Sequence, residues 1–406
     1  MPSFTSGRLS STSSSKKETK EDAELTDLMK GKKKKKELQL SYENKELKQG
    51  NCIETPTHKF VVVRSLETYY SSKKIYSVKD VIGGETDEFI LKTIDKDAEE
   101  DKHELFKKEV RVLKAIDAAD DERHQKHFAR FVDMGATPHF KFIVTDSVGP
   151  SLTQLRDRFC GNKFSFSSAL YLCIETLEAI EHLHKLGFLH YRISPYNFRV
   201  GTKINDRVVY MASLSLTKTI KKPSFLQELR ERSSKLNLYA YRHDSIAYHE
   251  NRALSKKDNI ESWLYLAIDL IDEKVLPWGF SGSKHMYEMK KMLYEQHDLI
   301  GLPINKSLDK NVPTDFHRII NYMKLQAKEK ADRVDVAYIM SVLRQIEEAN
   351  GIDHKSVVLD WEGAVGDNWE EETEVNIPVQ NYDVLPNYDE DRKESDESDE
   401  EGKYLD

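Results

Sequence analysis

The apolar period of this chain changes once, close to Gly149, and that change restricts it to two-part architectures. Before it, "KFVVVRSL" and "KIYSVKDV" are β-branched runs, "GGETDE" is a turn and "FILKTI" a third short strand. Short apolar runs punctuated by turn residues predict an antiparallel meander. One helix interrupts it: "ELFKKEVRVLKAI" sets Leu105, Val112 and Ile116 on one face, with Val110 and Leu113 beside it. "FARFVDMG" and "FKFIVTDSV" then resume strand character. After "VGPSLTQLRDRF" the spacing turns helical. "SSALYLCIETLEAIEHLHKLGF" repeats apolar residues at Leu170, Cys173, Ile174, Leu177, Ile180 and Leu183, with Gly187 as its stop. "IESWLYLAIDLI", "HMYEMKKMLYEQ", "TDFHRIINYMKLQ" and "VDVAYIMSVLRQIEEA" predict further helices. The expectation is an α+β chain: a small sheet-based lobe with one main helix, followed by a larger helical lobe.

The flanks differ in composition. Residues 1–57 are rich in Ser, Lys and Glu, contain "KGKKKKKE", and are expected to remain disordered. The lysine run is read as solvated chain, with a nuclear-localisation role as the sharper alternative. From Asp360 to the end there are 18 acidic and 3 basic residues, so the overall net charge of −8 hides a net +7 on everything before that point. The segment 363–406 is expected to be a disordered acidic tail. No run of about 18 apolar residues and no apolar leader occur, which predicts an intracellular protein, cytoplasmic or nuclear. Cys52, Cys160 and Cys173 lack metal-ligand or CxxC spacing and read as reduced structural thiols.

The segment "FLHYRISPYNF", Phe188 to Phe198, carries the chemical question. It is similar to the catalytic loop H-R-D-x-x-x-x-N of protein kinases, in which the Asp aligns the substrate hydroxyl and the Asn holds magnesium. With "VGPSLTQLR", "SKKDNIESWLYL", "LPWGF" and "DWE" in order, the chain resembles the casein kinase 1 and tau-tubulin kinase group over residues 58 to 362, and its divergence resembles nematode-type members. The resemblance implies a bilobal protein-kinase fold, with an upper lobe at 58–148 and a lower lobe at 149–362. It also implies the parts against which the site can be tested.

Most chemical parts are replaced. Where the family places glycines over the phosphates, "LETYYSSKKIY" offers Glu67, Tyr69, Tyr70 and Ser72, which disfavour close approach. Arg192 stands at the aspartate position and Ser194 at that of the phosphate-contacting lysine. A guanidinium cannot accept a proton. A one-residue shift puts Ile193 at the acid and breaks the Asn197 spacing. Ser213, Leu214 and Ser215 stand where the metal-binding D-F-G would be, and a serine hydroxyl is a poor magnesium ligand. Lys92 and Glu109 match the phosphate-contacting lysine and its helical partner, and with Asn197 they form a vestigial nucleotide set. Their ion pair serves equally as a structural tie. His190 reads as a packed histidine. Asn259 matches a central-helix aspartate that binds the loop backbone.

These replacements predict a pseudokinase acting as a scaffold or regulator through protein partners, with ATP and magnesium binding weak or absent. Two alternatives stand beside it: an active serine/threonine kinase with a remodelled site, and a module binding phosphopeptides or acidic segments. The second would use Arg192, Arg199, Lys218, Lys221 and Arg242, with the chain's own acidic tail as first candidate. Between His182 and Gln227 the only acidic residue is Asp206, against eight Lys and Arg. Arg242 could equally be a surface ion pair. No nucleic-acid partner is expected.

Overall fold

The computed structural model describes residues 46–66, 73–82, 88–220, 242–276, 278–279, 282–295, 312–328 and 333–366. Six strands form one antiparallel sheet: β1 (Cys52–Glu54), β2 (Lys59–Ser65), β3 (Lys73–Asp80), β4 (Glu88–Asp95), β5 (Phe131–Ala136) and β6 (Phe140–Asp146), in the order β1-β2-β3-β4-β6-β5. The alternation of Phe89, Leu91 and Thr93 with half-buried neighbours fixes the register of β4, because a one-residue slip would expose the buried face. In that register Lys92 pairs with Ile75 on one side and Ile143 on the other. The meander expected from the strand runs is present.

The sheet begins earlier than expected. Strand β1 lies inside the stretch read as disordered; Ile53 is buried, and Leu47 packs in the same core as Phe60 and Val78. At the other end Val365 is buried, so the folded region runs past 362. The remainder of both extensions lies outside the described residues.

Helix α1 (Glu100–Asp117) follows β4. Its buried face is Phe106, Glu109, Val110, Val112, Leu113 and Ile116, and Leu105 is only half-buried at its edge. Of the five positions read onto this face, Val110, Val112, Leu113 and Ile116 are buried and Leu105 alone is displaced, because the larger Phe106 takes the inward position.

The lower lobe holds α2 (Leu152–Phe159), α3 (Phe166–Lys185), α4 (Ile246–His249), α5 (Lys256–Ile271), α6 (Ser283–Glu295), α7 (Phe316–Lys328) and α8 (Val336–Ala349), with two short antiparallel strand pairs, β7 (Phe188–His190) with β10 (Thr217–Thr219) and the hairpin β8 (Phe198–Val200) with β9 (Val209–Met211). Helix α2 opens on a reciprocal Ser151–Gln154 capping box, and α5 on Ser255–Asp258. The six apolar positions read from α3 are all fully buried, as is most of α5, which places these two helices at the centre. The lobes meet where a backbone crossing needs glycine: a Cβ on Gly149 would lie 2.8 Å from the Gly201 carbonyl oxygen.

The larger of two buried clusters spans both lobes. Ile94 and Ile143 of the sheet, Val110 and Leu113 of α1, and Leu214 belong to the same buried cluster as Trp263, Trp278 and Trp361 below. This is the two-lobed α+β arrangement that the resemblance implied.

Candidate functional site

Strand β4 and helix α1 bring Lys92 and Glu109 together at 2.6 Å, with Glu109 buried and Lys92 a quarter exposed. Glu109 is flanked by buried Val110 and, one turn on, by buried Leu113, so the pair clips the helix to the sheet beside apolar contacts. Glu67, Tyr69, Tyr70 and Ser72 lie outside the described residues.

Below the pair, the segment after β7 is built as a buried loop. His190 is buried, and burial pushes its imidazole down to about 4 against hydrogen bonds to neighbouring backbone. It is neutral at physiological pH: Nε2–H donates to the Ala212 carbonyl (3.2 Å), and Nδ1 accepts from the Arg192 amide (3.1 Å). That geometry is a pin between two segments and leaves no free base. Asn197 is pinned likewise, its amide donating to the Arg192 carbonyl at 3.0 Å.

Arg192 turns inward. It is 9% exposed, and its guanidinium donates to the Tyr248 hydroxyl of α4 at 3.2 Å. The residue at the acid position is therefore a strut between this loop and α4. Ser194 is buried beside Asn197. Ser213 adopts a left-handed backbone (φ 56°, ψ 40°), a conformation that an L-residue holds only when its surroundings impose it. Leu214, next to it, is buried in the core shared with α1. The turn keeps its shape without a carboxylate on it.

Asn259 explains how the loop is held. Its Oδ1 accepts from the His190 amide (3.0 Å) and lies 3.1 Å from His184 Nε2, while its Nδ2 donates to the His190 carbonyl (2.8 Å). An amide supplies both polarities, which a carboxylate cannot. Asn259→Asp is therefore expected to destabilise the fold by about 1–3 kcal/mol, since it faces an acceptor with an acceptor in a buried site. Urea unfolding at neutral pH measures it, and an unchanged midpoint would refute this reading of the amide.

The cationic set proposed for anions is mostly committed elsewhere. Arg192 is buried, as described. Arg199 donates to the Gly149 carbonyl at 2.9 Å, supporting the crossing between the lobes. Arg242 pairs with the buried Asp269 and donates to the Glu273 carbonyl, so it is an interior tie and neither a surface pair nor an anion seat. Arg207 is likewise occupied by Glu362 and three carbonyls near it. Lys218 is half-buried on β10, and Lys221 lies outside the described residues. The anion-binding set is corrected at three of its members: Arg199 and Arg242 turn toward carbonyls and a carboxylate of the chain itself, and Arg192 toward the Tyr248 hydroxyl.

Sequence reasoning missed two further features. A cavity of about 280 Å³ between α4, α5, α6 and α7 is lined by Glu250, Lys257, Asp258, Glu261 and Lys291, away from Lys92. A polar cluster joins His127, Glu175, Glu178 and His354. The (i, i+3) spacing of Glu175 and Glu178 on α3 was its only sequence signal, since the histidines come from distant segments.

No protein-family model matches the chain. Curated relatives do. ZK507.1 of Caenorhabditis elegans, by name a candidate serine/threonine-protein kinase, is 29% identical over 186 residues, covering 44% of this chain and 56% of that protein. The serine/threonine-protein kinase spe-6 of the same organism is 25% identical over 312 residues, 75% of this chain and 76% of its own length. A Dictyostelium discoideum protein, by name a serine/threonine-protein kinase candidate, is 24% identical over 290 residues, 71% of this chain and 54% of that one. The match to ZK507.1 and to the Dictyostelium protein spans only about half of their length. Together with the two-lobed architecture, these similarities establish a protein-kinase-like domain. Among the described residues, no helix is long and apolar enough to cross a membrane.

Proposed function

We propose that this protein is a pseudokinase related to the casein kinase 1 and tau-tubulin kinase group, acting through binding as a scaffold or regulator. The observation that carries the reading is position 192. A buried guanidinium bonded to Tyr248 stands where the nucleophile-aligning acid belongs, inside a loop whose His190 and Asn197 side chains are bonded to backbone. Phosphoryl transfer depends on positioning and charge stabilisation, and here the supports remain while the reacting groups are exchanged. The Lys92–Glu109 tie, the Asn259 bracket and buried Leu214 are supports.

The relatives' names favour an active kinase, and that is the competing reading. An acidic-segment receptor is less favoured, because Arg192, Arg199 and Arg242 are engaged within the fold. Nucleotide binding separates the first two. ATP at a hundred times its Kd would stabilise the folded chain by about 2.7 kcal/mol. The expected result is a melting temperature that ATP barely moves, with or without magnesium, and the same response in Lys92→Ala. A rise of several degrees that requires magnesium and disappears in Lys92→Ala would overturn the proposal.

A further inference from the structure

The segment between α1 and β5 carries Lys126 and His127 onto the flank of α3. His127 is fully buried and its Nδ1 lies 2.7 Å from the Val209 carbonyl. A carbonyl only accepts, so Nδ1 carries the proton and, in the neutral ring, Nε2 presents a lone pair. That lone pair faces Glu178 Oε2 at 3.3 Å. When Nε2 carries a proton the two form an ordinary His–Glu ion pair, and when it does not they are two ligand atoms that a cation can bridge. Glu175, one turn earlier on α3, brings a second carboxylate, and one ligand atom from each of the three residues falls within 4.8 Å of the others.

Part of the answer is already present: Lys126 Nζ lies 3.0 Å from Glu175 Oε2 and 3.0 Å from Glu178 Oε2. The contact to Glu175 Oε2 is an ion pair without hydrogen-bond direction, and that buried oxygen accepts no hydrogen bond. The lysine side chain is 43% exposed, so its head can leave for solvent without burying a charge.

We propose that His127 Nε2, Glu175 and Glu178 form a zinc site, with Lys126 as the internal cation that zinc displaces. One imidazole and two carboxylates with an open fourth position suit Zn²⁺, whose ligands at about 2.0–2.2 Å stand roughly 3.3 Å apart in a tetrahedron. The His127–Glu178 separation already equals that spacing. The Val209 carbonyl supplies the outer hydrogen bond that ligating histidines need to fix the ring and its tautomer. Two carboxylates neutralise the ion in this half-buried place. Bound zinc would pin the segment after α1 to α3, coupling the upper lobe's main helix to the centre of the lower lobe.

The test is a Zn²⁺ titration of the chelator-stripped full chain by calorimetry, with Co²⁺ absorption as a geometric probe. Expected are one stoichiometric zinc and a tetrahedral Co²⁺ spectrum. Both should be lost in Glu178→Gln and in His127→Gln, while Lys126→Met should bind zinc at least tenfold more tightly by removing the competitor. Zinc held only by the acidic tail or by surface histidines would respond to none of these variants. Absence of binding in the parent chain, affinity unchanged in Glu178→Gln, or weaker binding in Lys126→Met would each overturn the assignment. Lys126→Met keeps the test decisive if His127→Gln fails to fold.

Discussion

Arg192→Asp is expected to transfer no phosphate above background to casein-like or tau-like substrates, and neither is the parent chain. Restoring the acid leaves Ser194 and Ser213 where a phosphate contact and a metal ligand are needed, and groups that act as a unit do not recover one at a time. The substitution also carries a structural cost. It removes the guanidinium bonded to Tyr248 and puts a carboxylate at a position only 9% exposed, so stability should fall by about 1–3 kcal/mol while activity stays at zero. A radiolabelled phosphate assay with urea unfolding reads both quantities. Magnesium-dependent turnover by the parent chain that vanishes in Lys92→Ala would show that an acid elsewhere performs the chemistry. Turnover in Arg192→Asp alone would show that Ser194 and Ser213 are no obstacle.

Trp361→Ala is expected to be the most damaging single change to the fold, costing about 3–5 kcal/mol. The indole is fully buried, packs edge-on against Phe164 at 5.9 Å, and donates Nε1–H to the Asp206 carbonyl at 2.8 Å. Around it the chain is fastened on both sides: the Ser165 amide donates to Asp360 (2.7 Å) and the Gly363 amide to Asp206 (2.8 Å). The segment beyond α8 is thus a clamp across the start of α3 and the β8–β9 hairpin. Trp361→Phe keeps most of the apolar contact and should cost markedly less. If the alanine variant unfolds at the parent's urea midpoint, the clamp does not exist.

What the sequence disclosed, and what it hid, divides along distance in the chain. The change of period near Gly149, the strand runs and the apolar stripe of α3 are local signals, and each element formed where its spacing placed it. Lys92 and Glu109 were legible through the family resemblance, as the matches to its lysine and helical glutamate, and the structure sets them 2.6 Å apart. Tyr248 as the partner of Arg192 was not legible, since the two are 56 residues apart and nothing in either neighbourhood names the other. The cations misled for a physical reason. A list of charges is silent about their partners, and Arg199, Arg207 and Arg242 proved to be fasteners whose guanidinium groups are bonded to their own chain. Ile53 was hidden differently: a three-residue strand in a lysine-rich context carries too little periodicity to be seen, and it is ordered only because β2 supplies its hydrogen-bond partners.

The Arg192–Tyr248 strut also bears on the paths open to such a sequence under mutation. While position 192 serves chemistry, selection on activity holds an acid there; once the side chain bridges two segments of the fold, stability alone holds the arginine. On the proposed reading, a change to aspartate passes through a variant that is both inactive and weaker, and benefits only if Ser194 and Ser213 change with it. The strut would then act as a ratchet, in which the cost of leaving arginine is set by the fold and not by the chemistry.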